Sequence, residues 1–192
     1  MNGKVFAIIA RKGAGKSEFI KNTILRPWGF RKSYIYDRNF EYGKEFKNSF
    51  TELNTKENFL NVVSREASHT GANCNVIFEE ATSYIRMAGQ QDSRLVEQLT
   101  LTHHTGNIVA FVFHSMLVIP KDLRPNIDFW VIFQTMDDVE EVKRFYKGRK
   151  DILDAYIDVH KKTKGTSFDR DKKIYADEKS KLFWHYNRVI AP

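Results

Sequence analysis

Residues Ala10 to Ser17 read A-R-K-G-A-G-K-S, and they stand between the apolar run Val5-Phe6-Ala7-Ile8-Ile9 and the helix-like stretch Glu18 to Leu25. A strand that hands a small-residue loop to a helix N-terminus makes amide N–H groups and the helix dipole converge on one point, which is how a polyphosphate is held. Gly13 and Gly15 supply the small residues, Lys16 reaches the β- and γ-phosphates as a point charge, and Ser17 offers a hydroxyl to the magnesium ion that bridges them. The residues expected to cradle a nucleotide are therefore Arg11, Lys12, Gly13, Ala14, Gly15, Lys16, Ser17 and Glu18. One position departs from the G-x-x-x-x-G-K-[ST] pattern: Ala10 stands where the first glycine would be, so the backbone there must suit a Cβ. An ordinary glycine-rich turn is the competing reading, and the flanking strand and helix argue against it. Lys12 either adds charge near the γ-phosphate or points into solvent, and the residues alone do not choose.

Outward from this loop, strands alternate with helices. Ser33 to Asp37 reads as a second strand, Asn54 or Thr55 caps a helix from Lys56 to about Ser68, and Cys74 to Phe78 is a buried-type strand ending in Glu79-Glu80. A short helix from Ala81 to Ala88 is broken by Gly89-Gln90-Gln91, and another runs from Asp92 or Ser93 to about Thr102. Ile108 to Phe113 and Phe129 to Phe133 are further strands, with Pro120 and Pro125 bracketing a loop or a single helical turn between them. Asp137-Asp138 cap a helix from Val139 to Tyr146. This alternation implies a parallel sheet with crossover helices. Beyond Gly148 the pattern weakens, and the residues suggest only short strands near Tyr156 to His160 and Lys172 to Tyr175.

At 192 residues the chain can bury one sizeable core, and we expect a core over 1–147 with a basic C-terminal extension over 148–192 packed on it. With 42% hydrophobic and 29% charged residues the composition is globular rather than disordered. No apolar run reaches membrane-spanning length, and with the first strand beginning at once we expect no signal peptide. A lone cysteine, Cys74, excludes an internal disulfide framework and fits a reducing compartment. The net charge of +7 points to a polyanionic partner. From Lys143 onward, basic clusters interleave with Tyr146, Tyr156, Phe168 and Tyr175, as in surfaces that neutralise phosphates and stack on bases; a solvated mixed-charge face is the plainer alternative.

The strand N-V-I-F-E-E carries the second half of a nucleotide site. Glu79 would orient the magnesium shell and Glu80 would polarise an attacking water, both at the C-terminal strand end where open α/β sheets place ligands. Alternatively, Glu80 simply begins the next helix, where a carboxylate favours the dipole.

Taken in order, A-R-K-G-A-G-K-S, Y-D-R-N-F-E-Y, V-I-F-E-E-A and V-A-F-V-F-H-S resemble the HerA/FtsK superfamily of DNA-pumping ATPases, over about Lys4 to Tyr146. Its members include viral genome-packaging ATPases and the zonula-occludens-toxin-like proteins of filamentous phages. The most specific element is a D-x-x-x-E-Y-like segment after the second strand, matched by Asp37, Glu41 and Tyr42.

The resemblance implies an α/β three-layer P-loop NTPase of the additional-strand, catalytic-glutamate type, mainly parallel, with strand order 5-1-4-3-2 in chain numbering. It also implies an ATP-driven DNA translocase using ATP and Mg²⁺, working as a homo-oligomer, in this superfamily a hexameric ring, on DNA that the sequence does not mark as single- or double-stranded. Docking would be to a capsid vertex, portal or membrane protein, in the host cytoplasm or at the virion packaging vertex. A polar residue ends the fourth strand in this family and senses the γ-phosphate; His114 or Ser115 takes that place here. The family arginine offered to a neighbouring subunit is replaced by His103-His104, which leaves Arg124 and Arg94 as candidates for that charge. A viral packaging ATPase is the favoured member, because the filamentous-phage assembly ATPases usually continue into a membrane helix. A P-loop nucleotide kinase and a nucleotide-gated DNA-binding scaffold are the readings from other classes.

Overall fold

The computed structural model describes residues 3–27, 31–36, 42, 49–50, 55–85 and 93–163, together with four short strands at 168–169, 174–175, 183–185 and 188–190. Its centre is a sheet built from β1 (Lys4–Ile9), β2 (Ser33–Ile35), β3 (Ser49–Phe50), β4 (Asn75–Phe78), β5 (Ile108–Phe113) and β6 (Phe129–Ile132). The order is β3-β2-β4-β5-β1-β6 and every pairing is parallel. The five expected strands thus stand as 5-1-4-3-2, with the two-residue β3 added at the edge beside β2.

Period-two alternation sends side chains to both faces of this sheet. Val5, Ala7 and Ile9 of β1 share one core with Val109, Phe111 and Phe113 of β5, whereas Ile8 joins Ala110 and Val112 in the other. A strand buried on both faces must be apolar throughout, which is why I-V-A-F-V-F reads as an unbroken run. On the first face lie α2 (Lys56–Ala67), α5 (Val139–Phe145) and α6 (Lys150–Thr163), and on the second the helix that begins with α1 (Lys16–Phe19). That helix continues from Ile20 to Leu25 with wider i to i+5 bonding, Arg26 N–H reaching Lys21 O at 2.8 Å. The widened turns bring Ile20, Ile24 and Leu25 into the core.

Caps fall where short polar residues stand. Thr55 Oγ1 accepts from the Asn58 N–H to start α2, and Asp138 accepts from the Glu140 and Glu141 N–H groups to start α5. Asp137 does not share that cap: its carboxylate accepts from the Met116 N–H instead, at 2.7 Å. A short helix, α3 (Thr82–Ile85), follows β4, and α4 (Ser93–Thr105) leads into β5, three residues longer than its pattern suggests. Gly3 lies so close to the end of α4 that a Cβ there would sit 1.9 Å from Thr102 O.

The stretch Tyr156 to His160, expected as a strand, lies inside helix α6. Ile152, Tyr156 and Val159 recur at helical spacing and are buried in the first core, so tertiary packing on β6 uses a stripe that the intervening charges obscure. Ile174–Tyr175 is a strand, paired antiparallel with Phe168–Asp169, and Phe183–His185 pairs likewise with Arg188–Ile190. Among the described residues no helix is long and apolar enough to cross a membrane.

Candidate nucleotide site

The root of the Ala10–Ser17 loop is locked into the sheet on both sides. Ala10 N–H donates to Phe113 O at 3.0 Å and Arg11 N–H to Gln134 O at 2.9 Å, so the loop leaves the sheet between the ends of β5 and β6. Gly13 and Gly15 take φ of 79° and 87°, the left-handed region where a Cβ is penalised, and Gly15 is the residue from which α1 starts. Ala10, by contrast, carries its methyl in the core, which explains how the missing first glycine is tolerated. Lys16 is buried, 8% exposed, and among the described residues no carboxylate pairs with it. An ammonium held out of water is stabilised by an anion brought to it. Lys12 is exposed.

The acids stand at the same edge, two strands away. Glu79 accepts a hydrogen bond from the hydroxyl of Tyr42, itself a buried side chain. Glu80 has φ 50°, a conformation uncommon for a residue with a side chain and one that strained sites favour. The turn that imposes it is anchored: Ala81 N–H donates to Val112 O and Ser83 N–H to Glu80 O, both at 2.8 Å. Glu80 therefore does not belong to the regular part of α3, which begins at Thr82.

Of the two candidates at the end of β5, the structure ties one to the loop. His114 Nδ1 lies 3.3 Å from Ala10 O, so that nitrogen carries the proton when the contact is a hydrogen bond, and Nε2 is left for other partners. Ser115 is occupied differently, its Oγ accepting from the Leu117 N–H at 3.0 Å to start the single turn Met116–Val118.

The arginines are also engaged. Arg124 donates to Ile119 O from Nε at 3.2 Å and from Nη2 at 2.9 Å, and its guanidinium lies 4.3 Å and 4.5 Å from the ring centroids of Phe145 and Tyr146. Burial lowers its pKa from the ordinary value. Those contacts hold the group between α5 and the loop before β6. Arg94 makes a forked pair with Glu57, at 2.6 Å and 3.0 Å, the ordinary salt bridge between α4 and α2. Asp37 and Glu41, which carried part of the family resemblance, lie outside the described residues, as do Gln90 and Gln91.

Ser17 and Glu79 provide one hydroxyl and one carboxylate, hard oxygen donors that suit a magnesium ion completing its shell with water and phosphate oxygens. No group of three or more His, Cys, Asp or Glu side chains that could hold a metal ion occurs among the described residues. Tyr42 is the residue whose role the sequence did not disclose. It stood in the D-x-x-x-E-Y match, but only folding brings its hydroxyl to Glu79.

Neither a protein-family model nor a curated protein matches this sequence. Solved structures do resemble it. The DNA-packaging ATPase B204 from Sulfolobus turreted icosahedral virus superposes with a TM-score of 0.65 at 16% identity, over 91% of this chain and 97% of that one. B204 from Sulfolobus turreted icosahedral virus 2, solved with sulfate, gives 0.66 at 13% identity over 100% and 98%, and the same protein has been solved with ATP-gammaS. The pCW3 conjugation coupling protein TcpA, with ATPgS, gives 0.60 at 13% identity over 98% of this chain and 59% of its own. At these identities the shared property is the fold, and the all-parallel sheet with its strand order and its loop between β1 and α1 is the P-loop NTPase arrangement those structures have.

Proposed function

We propose that the protein is an ATPase that drives DNA translocation, most specifically a viral genome-packaging motor. The observation that carries the reading is Lys16, buried without a carboxylate partner among the described residues in a loop pinned between β5 and β6, at the strand ends that also carry Glu79, Glu80 and His114. In this reading the loop amides and Lys16 hold the β- and γ-phosphates and Ser17 and Glu79 face the metal. Glu80 takes a proton from the water that attacks the γ-phosphorus in line, while the bond from that phosphorus to the β,γ-bridging oxygen breaks and ADP leaves with the electron pair. Bound magnesium neutralises charge on the phosphate oxygens. Tyr42 fixes Glu79, and His114 links the end of β5 to the loop, so a change at the phosphate can reach the sheet. The likeness to B204, a DNA-packaging ATPase, supports the DNA step, as does the excess of basic residues.

Lys147, Lys150 and Lys161 are exposed on and beside α6, and with Arg149, Lys162 and Lys164 they are the proposed contact to the DNA backbone. Assembly into a ring, magnesium as the working ion, and action at a packaging vertex in the host cytoplasm belong to the same proposal. Phosphate release from ATP, measured with and without single- and double-stranded DNA, tests it. Turnover that rises with DNA and is abolished in Lys16→Ala is the expected result. Transfer to a nucleoside monophosphate in place of release to water would make the protein a kinase. ATP binding without turnover under any DNA condition would make it a nucleotide-gated scaffold. For the basic residues, replacing the six with Gln should flatten the slope of log affinity against log salt.

A further inference from the structure

Met136 is 79% exposed, alone in that respect among the large apolar side chains of the described residues. Its backbone is far from loose. On one side Thr135 is buried and its hydroxyl accepts from the Asp137 N–H at 3.3 Å; on the other, Asp137 takes the Met116 N–H at 2.7 Å on its carboxylate and the Tyr156 hydroxyl at 2.8 Å on its carbonyl. Just upstream, Phe133 packs edge-on against Phe19 of α1, with ring centroids 5.8 Å apart. The loop after β6 is thus fastened to the body before and after one residue, and that residue carries an apolar side chain into solvent.

Its position relative to the phosphate loop gives this a meaning. β1 lies between β5 and β6, with His114 at the end of β5 and the acids at the end of β4 beyond it. A nucleotide whose γ-phosphate faces Glu80 and His114 must extend its other end away from them, across β1 towards β6. There Arg11, a residue of the loop itself, has its backbone N–H on Gln134 O and its Nη1 3.7 Å from the Met136 sulfur. A flexible thioether beside a planar guanidinium suits the flat face of an aromatic ring, since sulfur makes favourable ring contacts and the guanidinium stacks.

We propose that Met136, steadied by Arg11, is the platform on which the purine base of the nucleotide rests. The assignment rests on the reading of Ala10–Ser17 as a nucleotide site, and it adds the residue that recognises the base as distinct from the phosphates. The fastening of its neighbours and the sulfur contact with a residue of the phosphate loop favour the base over a second copy of the chain.

Calorimetric titration of the full chain with ATP and, separately, with inorganic tripolyphosphate, both with magnesium, tests this. Met136→Ala should weaken ATP roughly three- to tenfold while tripolyphosphate binds as to wild type, and Met136→Leu should recover most of the ATP affinity. An unchanged ratio of ATP to tripolyphosphate affinity in Met136→Ala overturns the proposal, as does an unchanged ratio accompanied by a shift in oligomeric mass, which would make Met136 a subunit contact. Failure of the underlying nucleotide reading looks different: tripolyphosphate affinity would then be absent or indifferent to Lys16→Ala.

Discussion

The hydroxyl of Tyr42 donates a hydrogen bond to the carboxylate of Glu79, joining the segment that follows β2 to the acidic end of β4. A hydroxyl on a carboxylate holds both its charge and its direction, and a hydrogen bond to a charged group is worth about 1.5–3 kcal/mol. Tyr42→Phe should therefore lower kcat for ATP hydrolysis roughly tenfold or more, with ATP affinity by calorimetry nearly unchanged. A kcat within twofold of wild type would leave the tyrosine a packing residue.

Glu80→Gln should keep nucleotide bound and lower turnover by about 10²–10⁴-fold, because the amide keeps the shape and loses the basicity that accepts a proton from water. At a φ of 50° Gln carries the same Cβ and side-chain shape as Glu, so the substitution changes the charge and adds no new demand on the turn. Turnover within a few-fold of wild type would move the water-activating role elsewhere.

Arg124→Ala removes two hydrogen bonds to Ile119 O and two ring contacts, and the expected loss is about 2–3 kcal/mol, or roughly 4–12 °C in Tm for a chain of this size. A role across a subunit interface is a separate question with its own readout. Arg124→Ala subunits mixed with Glu80→Gln subunits should stay inactive if the arginine serves only its own fold, and recovered turnover in the mixture would make it a trans-acting group.

Glu66 accepts hydrogen bonds from Lys32, Tyr34 and Arg65, and these hold its pKa at about 2, below the ordinary 4.5. A depressed folded-state pKa stabilises the fold above the unfolded value and is lost as pH falls towards the folded one. Denaturant midpoints should therefore drop between about pH 4.5 and 2 by more in wild type than in Glu66→Gln. Parallel pH profiles for the two proteins would refute the assignment. The same cluster shows at Tyr34, whose phenol is pushed up to about 12, chiefly by burial.

Gly3→Ala should destabilise without touching the site. Its Cβ would meet Thr102 O at 1.9 Å and Asn107 O at 2.7 Å, two backbone atoms that cannot swing away. Overpacking of this kind costs about 1–3 kcal/mol. Thermal melting should show the loss, and unchanged Tm would mean that the start of β1 shifts freely.

Much of this protein is written locally. The loop Ala10–Ser17, the two-faced apolar runs of β1 and β5 and the caps Thr55 and Asp138 declare themselves within a few residues, because turn chemistry, strand alternation and capping are short-range effects. Helix α6 was legible in principle through Ile152, Tyr156 and Val159, but charges between them hid a stripe whose worth comes from the core it meets. What no local pattern could decide is which strand ends lie side by side. Ala10 O meets His114 across 104 residues of chain, Tyr42 meets Glu79 across 37, and Arg11 meets Met136 across 125. These contacts follow from sheet order, and sheet order is settled by burial of both faces of every central strand at once, a balance taken over the whole chain rather than at any one residue.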